Sequence, residues 1–166
     1  MFVVSLIIIA VSVIIDQILK FIVDKNIDLF QVIPVIKFGD VRIFSLTQVR
    51  NSGAAWSIMS GKTWFLVILP IIVCIAALVY MFVMRKKKSR SEMTGCALFV
   101  GGGIGNLIDR IRFGEVIDYI QFEPVNFPVF NFADICVVIG MFIFVIAVFC
   151  EDSSGKKKVK EKNDKV

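Results

Sequence analysis

Four long apolar runs constrain the fold of this chain more than any other feature. A membrane-spanning helix needs about 20 mostly apolar residues, and the runs at 2–23, 64–84, 92–111 and 133–150 approach or reach that length. The second run has no charged residue, and Pro70 within it is tolerated in a membrane helix whose neighbours satisfy the freed carbonyl. Hydrophobic residues make up 57% of the chain, against about 45–50% in soluble domains. The sequence therefore predicts an integral membrane protein with four transmembrane helices.

Two clusters of positive charge predict how these helices are oriented. Lys and Arg collect at 85–90 and at 156–165, and cytoplasmic loops of membrane proteins are enriched in both residues. The clusters follow the second and fourth runs, so an even number of spans separates them and both lie on one side. We therefore expect cytoplasmic termini, with residues 152–166 as a basic, disordered cytoplasmic tail. Residues 1–151 form a single domain, and nucleic acid is not an expected partner.

The largest outer segment, residues 24–63, has the composition of strands rather than of a helix. The β-branched runs 32–36 and 41–49 are separated by Gly39-Asp40, which is typical of a turn. We expect a small sheet at the outer membrane interface.

The chain has no histidine, which excludes several chemistries. It cannot form a Ser-His or Cys-His nucleophile pair, a His-based zinc site or an imidazole acid–base catalyst. The four cysteines lie singly in apolar stretches with no C-x-x-C spacing, as small buried hydrophobes do. We expect neither a metal nor a cofactor.

Charged residues inside the first run are candidates for function, because ionisable groups are costly in a membrane. Asp16 and Lys20 are four residues apart, so they share one helical face and can neutralise each other. A pairing that only positions the helix is the alternative.

The third run carries glycines and polar residues in helical register. Gly101 and Gly105 form a G-x-x-x-G pattern, which lets another helix approach closely. Gly102, Asn106 and then Asp109 or Arg110 fall on one stripe of the same helix, and such a stripe faces protein or water rather than lipid. The guanidinium of Arg110 offers a forked set of donors for carbonyls or carboxylates.

Two aspartates follow at the outer surface, where we expect them on helices joined by a short loop. Asp118 lies just beyond the third run, and Asp134 opens the fourth. If they meet, they would share one proton and could supply a base for water and an acid for a leaving amine. A solvated loop acid at Asp118 and helix capping by Asn131 and Asp134 are the alternatives. Spacing alone does not select this pair, because other acids share the outer side: Asp24, Asp28, Asp40, Asp109, Glu115 and Glu123.

Five motifs in order give the chain a specific likeness. It resembles prolipoprotein signal peptidase (signal peptidase II), the bacterial four-span aspartyl peptidase of lipoprotein maturation. The resemblance rests on Asp16-Gln17-x-x-Lys20, Asn51-Ser52-Gly53-Ala54-Ala55-Trp56, Gly102-x-x-Gly105-Asn106-x-x-Asp109-Arg110, Val116-Ile117-Asp118 and Phe130-Asn131-x-Ala133-Asp134. One departure is Leu19, where the family commonly has Ser or Thr.

The resemblance implies the site, the substrate and the location. Asp118 and Asp134 would be the catalytic pair. The implied substrate-binding residues are Asp16, Lys20, Asn51, Gly53, Gly102, Asn106, Arg110 and Asn131. The substrate would be a diacylglyceryl-modified prolipoprotein, cut before its lipidated cysteine by a monomer in the bacterial cytoplasmic membrane, in contact with membrane lipid. The outer segment would form a small extracytoplasmic β-cradle, and the active site would face outside.

Two other classes of protein use similar residues. A small proton-coupled transporter could use the same acids as a relay. Such proteins place binding groups near the midplane and often show inverted repeats, whereas here the acids cluster at the outer ends of the runs and the sequence shows no repeat. A non-catalytic membrane scaffold would explain the glycines and the basic tail, yet it leaves the outer group of Asn, Arg and Asp unexplained.

Overall fold

The computed structural model of the chain describes residues 1–53 and 63–163. The motif residues Ala54, Ala55 and Trp56 lie outside this part of the chain. Helices and strands follow in the order α1 (Phe2–Asn26), β1 (Val32–Phe38), β2 (Val41–Asn51), α2 (Thr63–Met84), α3 (Arg90–Phe113), β3 (Val116–Phe122) and α4 (Phe132–Asn163). The prediction of a mostly helical membrane protein with a small sheet is confirmed.

Three of the described helices are long and apolar enough to cross a membrane: α1, α2 and the Phe132–Glu151 part of α4. They leave large apolar side chains exposed, among them Phe21, Ile72 and Phe142. In water such a surface would be strongly unfavourable, so these faces are suited to lipid.

Helix α3 is less apolar because it lies at the centre of the bundle. It contacts α1, α2 and α4, and Ala97 and Val100 are fully buried. A Cβ added to Gly95 would lie 2.5 Å from the backbone nitrogen of Phe144, so only glycine permits this approach of α3 to α4. A helix that faces protein on most sides does not need the hydropathy of one that faces lipid.

The sheet is antiparallel, with strand order β1-β2-β3. The β1–β2 hairpin turns at Gly39, whose φ of +59° suits glycine. Strand β3 was not predicted, and it corrects the expected position of Asp118, which lies on this strand opposite Val49 rather than on a helix or in a loop. The physical reason is that Val116 and its β-prone successors pair with the free edge of β2.

The last helix also differs from the expectation. We expected a disordered tail from residue 152, but α4 continues to Asn163. Lys and Glu are common in this stretch, and both are good helix formers, so the backbone can continue the helix past the apolar part.

Candidate active site

Five of the predicted site residues line one cavity of about 350 Å³ at the end of the bundle that carries the sheet. They are Asn51, Asn106, Arg110, Asp118 and Asp134. The remaining wall is apolar and comes mainly from the segment before α4 and from the outer face of α4: Val116, Phe127, Pro128, Val129, Phe130, Val137 and Val138. The cavity is thus polar around the two aspartates and apolar along residues 127–130, Val137 and Val138.

Asp118 is held by two amide donors. Its side chain is 3% exposed, and its carboxylate accepts hydrogen bonds from Nδ2 of Asn51 at 2.9 Å and from Nδ2 of Asn131 at 2.7 Å. Burial, and then the negative charge of Asp134, raise the pKa of Asp118 to about 7. This carboxyl can therefore carry a proton near neutral pH.

Asp134 is held by the side-chain amide of Asn106 and by the backbone of Asn131. Its Oδ1 accepts a hydrogen bond from Nδ2 of Asn106 at 2.7 Å, and its Oδ2 accepts one from the backbone N–H of Asn131 at 3.0 Å. Helix capping occurs here too, because Oδ1 of Asn131 accepts the backbone N–H of Asp134 at 2.9 Å. The cap is Asn131, which leaves the carboxylate of Asp134 directed to the cavity.

Asn131 lies between the two aspartates and is fully buried. Besides Asp118, its Nδ2 reaches Oδ1 of Asn106 at 3.0 Å and the carbonyl oxygen of Ile117 at 3.4 Å. One residue thus binds Asp118 through its side chain and Asp134 through its backbone.

Arg110 and Gly53 form the rim on the side of β2. Nη2 of Arg110 donates to the carbonyl oxygen of Gly53 at 3.1 Å. The N–H of Gly53 in turn donates to Oδ1 of Asn51 at 2.9 Å, which orients that amide so that its NH₂ group faces Asp118. Gly53 therefore contributes backbone groups to the site.

Asp16 and Lys20 lie beneath the cavity. Both are buried, and Lys20 is only 2% exposed. Nζ of Lys20 lies 2.9 Å from each of three oxygens: Oδ2 of Asp16, Oδ2 of Asp109 and Oδ1 of Asn106. Lys20 thus contacts Asn106, which lines the cavity, while neither Lys20 nor Asp16 lines it.

Gly102 is also a packing position. A Cβ there would lie 2.3 Å from the carbonyl oxygen of Ala133 and 2.8 Å from Cγ2 of Val137. Its lack of a side chain lets the first turn of α4, which carries Asp134, rest directly on α3.

Sequence reasoning missed Gln17 and Asp109 as members of the site. Nε2 of Gln17 donates to Oδ1 of Asp109 at 3.0 Å, and Oδ2 of Asp109 accepts the backbone N–H of Ile117 at 3.2 Å. Both residues stand inside motifs that the sequence displays, but only the contact of α1 with α3 shows what they bind. No pattern in the sequence indicated that residues 127–130 form an apolar wall of the cavity.

Comparisons with known proteins cover the whole region that carries the cavity. A family model described as "Signal peptidase (SPase) II" matches residues 8–150. The chain is 40% identical over 152 residues to a "Lipoprotein signal peptidase" of Lactococcus lactis, covering 89% of this chain and 94% of that protein. It is 38% identical over 151 residues to a protein of the same name from Lactiplantibacillus plantarum, covering 91% and 97%. A bacterial membrane enzyme solved by the in meso method at 2.3 Å resolution matches with a TM-score of 0.82 and 35% identity, over 91% of this chain and 90% of its own.

Proposed function

The chain belongs to the signal peptidase II family of aspartic peptidases, and we propose that it removes the signal peptide from diacylglyceryl-modified prolipoproteins by cutting before the lipidated cysteine. The resemblance that the five motifs indicated is confirmed. The observation that carries the proposal is the pair Asp118 and Asp134, which line one cavity and are both bound by Asn131.

In the proposed reaction the two aspartates divide the roles of base and acid. The ionised carboxylate takes a proton from water, whose oxygen forms the new bond to the carbonyl carbon of the scissile peptide. The protonated carboxyl gives its proton to the leaving nitrogen as the C–N bond breaks. The raised pKa of Asp118, about 7, supports a pair that shares one proton.

The neighbouring residues suit the binding of an extended peptide with a lipid at its cleavage point. Arg110 and Asn51 offer donors for peptide carbonyls along the polar wall. Val138 lines the apolar wall and is 64% exposed, so we propose that the cavity opens toward lipid at this residue. Acyl chains can therefore stay in an apolar environment while the peptide bond reaches the aspartates.

We propose that α3 is the fourth membrane span. Its 24 residues extend about 36 Å at 1.5 Å per residue, longer than the about 30 Å of the hydrocarbon core. The stretch Met93–Ile108 has no charge. At the end of α3 away from the cavity, Lys88 binds Glu92 and Glu151, so the basic 85–90 cluster and the end of the apolar part of α4 lie together.

This arrangement supports the proposed orientation. With the basic cluster in the cytoplasm, both termini are cytoplasmic and the cavity opens on the outer side of the bacterial cytoplasmic membrane. We propose that the enzyme acts as a monomer, because one chain supplies both aspartates and the amide donors that hold them, so the site needs no residue from a second copy.

The test is an incubation of the detergent-solubilised protein with a prolipoprotein carrying a diacylglyceryl cysteine. Release of the signal peptide, with the new amino terminus at the modified cysteine, is the expected result. The same precursor without the lipid is the matched control and should be cut far more slowly. If neither precursor is cut by folded protein, the proposed function is wrong.

A further inference from the structure

The buried ammonium of Lys20 is not used by the proposed reaction. It is surrounded by three oxygens at 2.9 Å, from Asp16, Asp109 and Asn106. Desolvating such charges is costly, and replacing a buried ion pair by apolar residues is often neutral or stabilising. Stability alone is therefore a weak explanation for this cluster.

The two carboxylates of the cluster also accept hydrogen bonds from backbone N–H groups beside the proposed catalytic pair. Each such connection from Lys20 through a side chain toward an aspartate is called an arm. Oδ1 of Asp16 accepts the N–H of Ala133 at 3.0 Å, and Ala133 directly precedes Asp134. Oδ2 of Asp109 accepts the N–H of Ile117 at 3.2 Å, and Ile117 directly precedes Asp118. Each arm thus ends one residue before a proposed catalytic aspartate.

A third arm runs through Asn106. Because Oδ1 of Asn106 accepts from Lys20 at 2.9 Å and from Asn131 at 3.0 Å, its NH₂ group must point the other way. That group donates to Oδ1 of Asp134 at 2.7 Å. The ammonium therefore determines the orientation of an amide that holds one of the two aspartates.

We propose that Lys20 is a positioning residue, which together with Asp16 and Asp109 sets the separation of strand β3 from the first turn of α4 and hence of Asp118 from Asp134. This inference rests on the proposed function for its kinetic consequence, but not for its structural one. Gln17 supports it, since its Nε2 donates to both carboxylates, at 3.2 Å to Asp16 and 3.0 Å to Asp109.

The variants for the test are Lys20→Met, which removes the ammonium, and Asp109→Asn, which keeps the shape but cannot accept from all three donors. Lys88→Met is the matched control, because Lys88 forms an i,i+4 pair with buried Glu92 at the other end of α3. Each protein is purified, and its folded fraction is measured by thermal unfolding in detergent.

For the folded fraction we expect kcat to fall about 10²-fold in Lys20→Met and Asp109→Asn, since small displacements of reacting groups cost rates of that size. KM should stay within about threefold, because the proposed donors to the peptide, Arg110 and Asn51, bond to Gly53 rather than to Lys20 or Asp109. Lys88→Met should keep the wild-type kcat. A normal kcat in folded Asp109→Asn, or an equal loss in Lys88→Met, would overturn the inference.

Crystal structures of the wild type, Lys20→Met and Asp109→Asn decide the same point without substrate. We expect the carboxylates of Asp118 and Asp134 to move relative to each other by more than about 0.5 Å, the tolerance of a catalytic constellation. An unchanged separation would overturn the inference even if the kinetics changed. If the wild type cuts no lipidated precursor, the proposed function fails while this structural comparison still decides the role of Lys20.

Discussion

Asn131 and Asp134 hold each other through a reciprocal pair of hydrogen bonds. The backbone N–H of Asp134 donates to Oδ1 of Asn131 at 2.9 Å, and the backbone N–H of Asn131 donates to Oδ2 of Asp134 at 3.0 Å. This is the geometry of a capping box. Helix capping and the proposed catalytic role of Asp134 are therefore compatible, because the cap that starts α4 also orients the carboxylate of Asp134.

The dual role of Asn131 predicts different effects for two substitutions. Asn131→Ser keeps an N-cap oxygen but loses the amide that binds Asp118, while Asn131→Ala loses both. We expect both variants to lose about 10²-fold or more in kcat, and Asn131→Ala to be less stable than Asn131→Ser by about 1 kcal/mol. Kinetics on lipidated precursor and unfolding in detergent measure the two effects. Near-normal turnover of Asn131→Ser would show that the bond to Asp118 is dispensable.

The raised pKa of Asp118 predicts how activity depends on pH. In the proposed reaction the pair acts with one shared proton, so we expect kcat to fall as the pH rises through about 7 and this proton is lost. Turnover measured across this range on one lipidated precursor tests the prediction. A rate that stays constant well above neutral pH would contradict the shared proton.

Stability should depend on the same group. The folded protein binds the proton of Asp118 more tightly than the unfolded chain does, since its pKa rises from 3.8 to about 7. The contribution of Asp118 to stability is therefore fully present below about 3.8 and is lost as the pH rises through about 7. We expect the melting temperature of the wild type to fall relative to that of Asp118→Asn as the pH rises over this range.

The close contact of α3 with α4 predicts that a single added methyl group disturbs the site. In Gly102→Ala, the Cβ would meet the backbone oxygen of Ala133 at 2.3 Å, which cannot move without shifting the first turn of α4. Gly103→Ala is the matched control, because its Cβ meets only Sγ of Cys74, at 2.9 Å. We expect Gly102→Ala to lose activity and melt earlier, and Gly103→Ala to change little. Equal activity and equal melting temperatures of the two variants would mean that the first turn of α4 can shift without loss of stability or activity.

Much of the architecture could be predicted from the sequence, because a bilayer makes the length of an apolar run informative. The polar residues that line the cavity were all named from motifs, but the hydrogen bonds that connect them to the rest of the protein were not. Asp109 could not be chosen among the outer acids, since its partner Ile117 is on a strand that becomes visible only when it pairs with β2. Long-range contacts of this kind are not encoded in local periodicity. The position of Lys20 below Asn106 likewise depends on how α1 packs on α3.

The basic clusters predict a topology that is testable without any substrate. Reporter tags placed after Lys88 and after residue 160 should be cytoplasmic, and a tag near Asp40 in the β1–β2 turn should be outside. Alkaline phosphatase and fluorescent protein fusions give opposite signals on the two sides and control each other. A cytoplasmic signal near Asp40 would place the cavity on the wrong side of the membrane for the proposed substrate.

The strongest prediction concerns the two aspartates. Asp118→Asn and Asp134→Asn keep the size of each side chain but remove the carboxyl that exchanges a proton. We expect each variant to lose at least about 10³-fold in kcat, within the range of acid–base catalysis, while it still inserts and accumulates. The double variant should be no slower than either single one, because groups that act as one unit are not additive.

The structure explains why Asp134→Asn separates catalysis from capping. The cap is Asn131, whose Oδ1 accepts the backbone N–H of residue 134 whatever its side chain. In this variant the oxygen of the new amide can still accept the N–H of Asn131. Its NH₂ group then faces the NH₂ group of Asn106. The side chain of Asn106 cannot turn to avoid this contact, because its oxygen accepts from Lys20. Because the cap by Asn131 is kept, the helix should form, while the carboxyl that exchanges a proton is lost. Cleavage rates per unit of folded enzyme across the wild type, both single variants and the double variant test this, and near-normal turnover of Asp134→Asn would reduce this residue to a part of the helix cap.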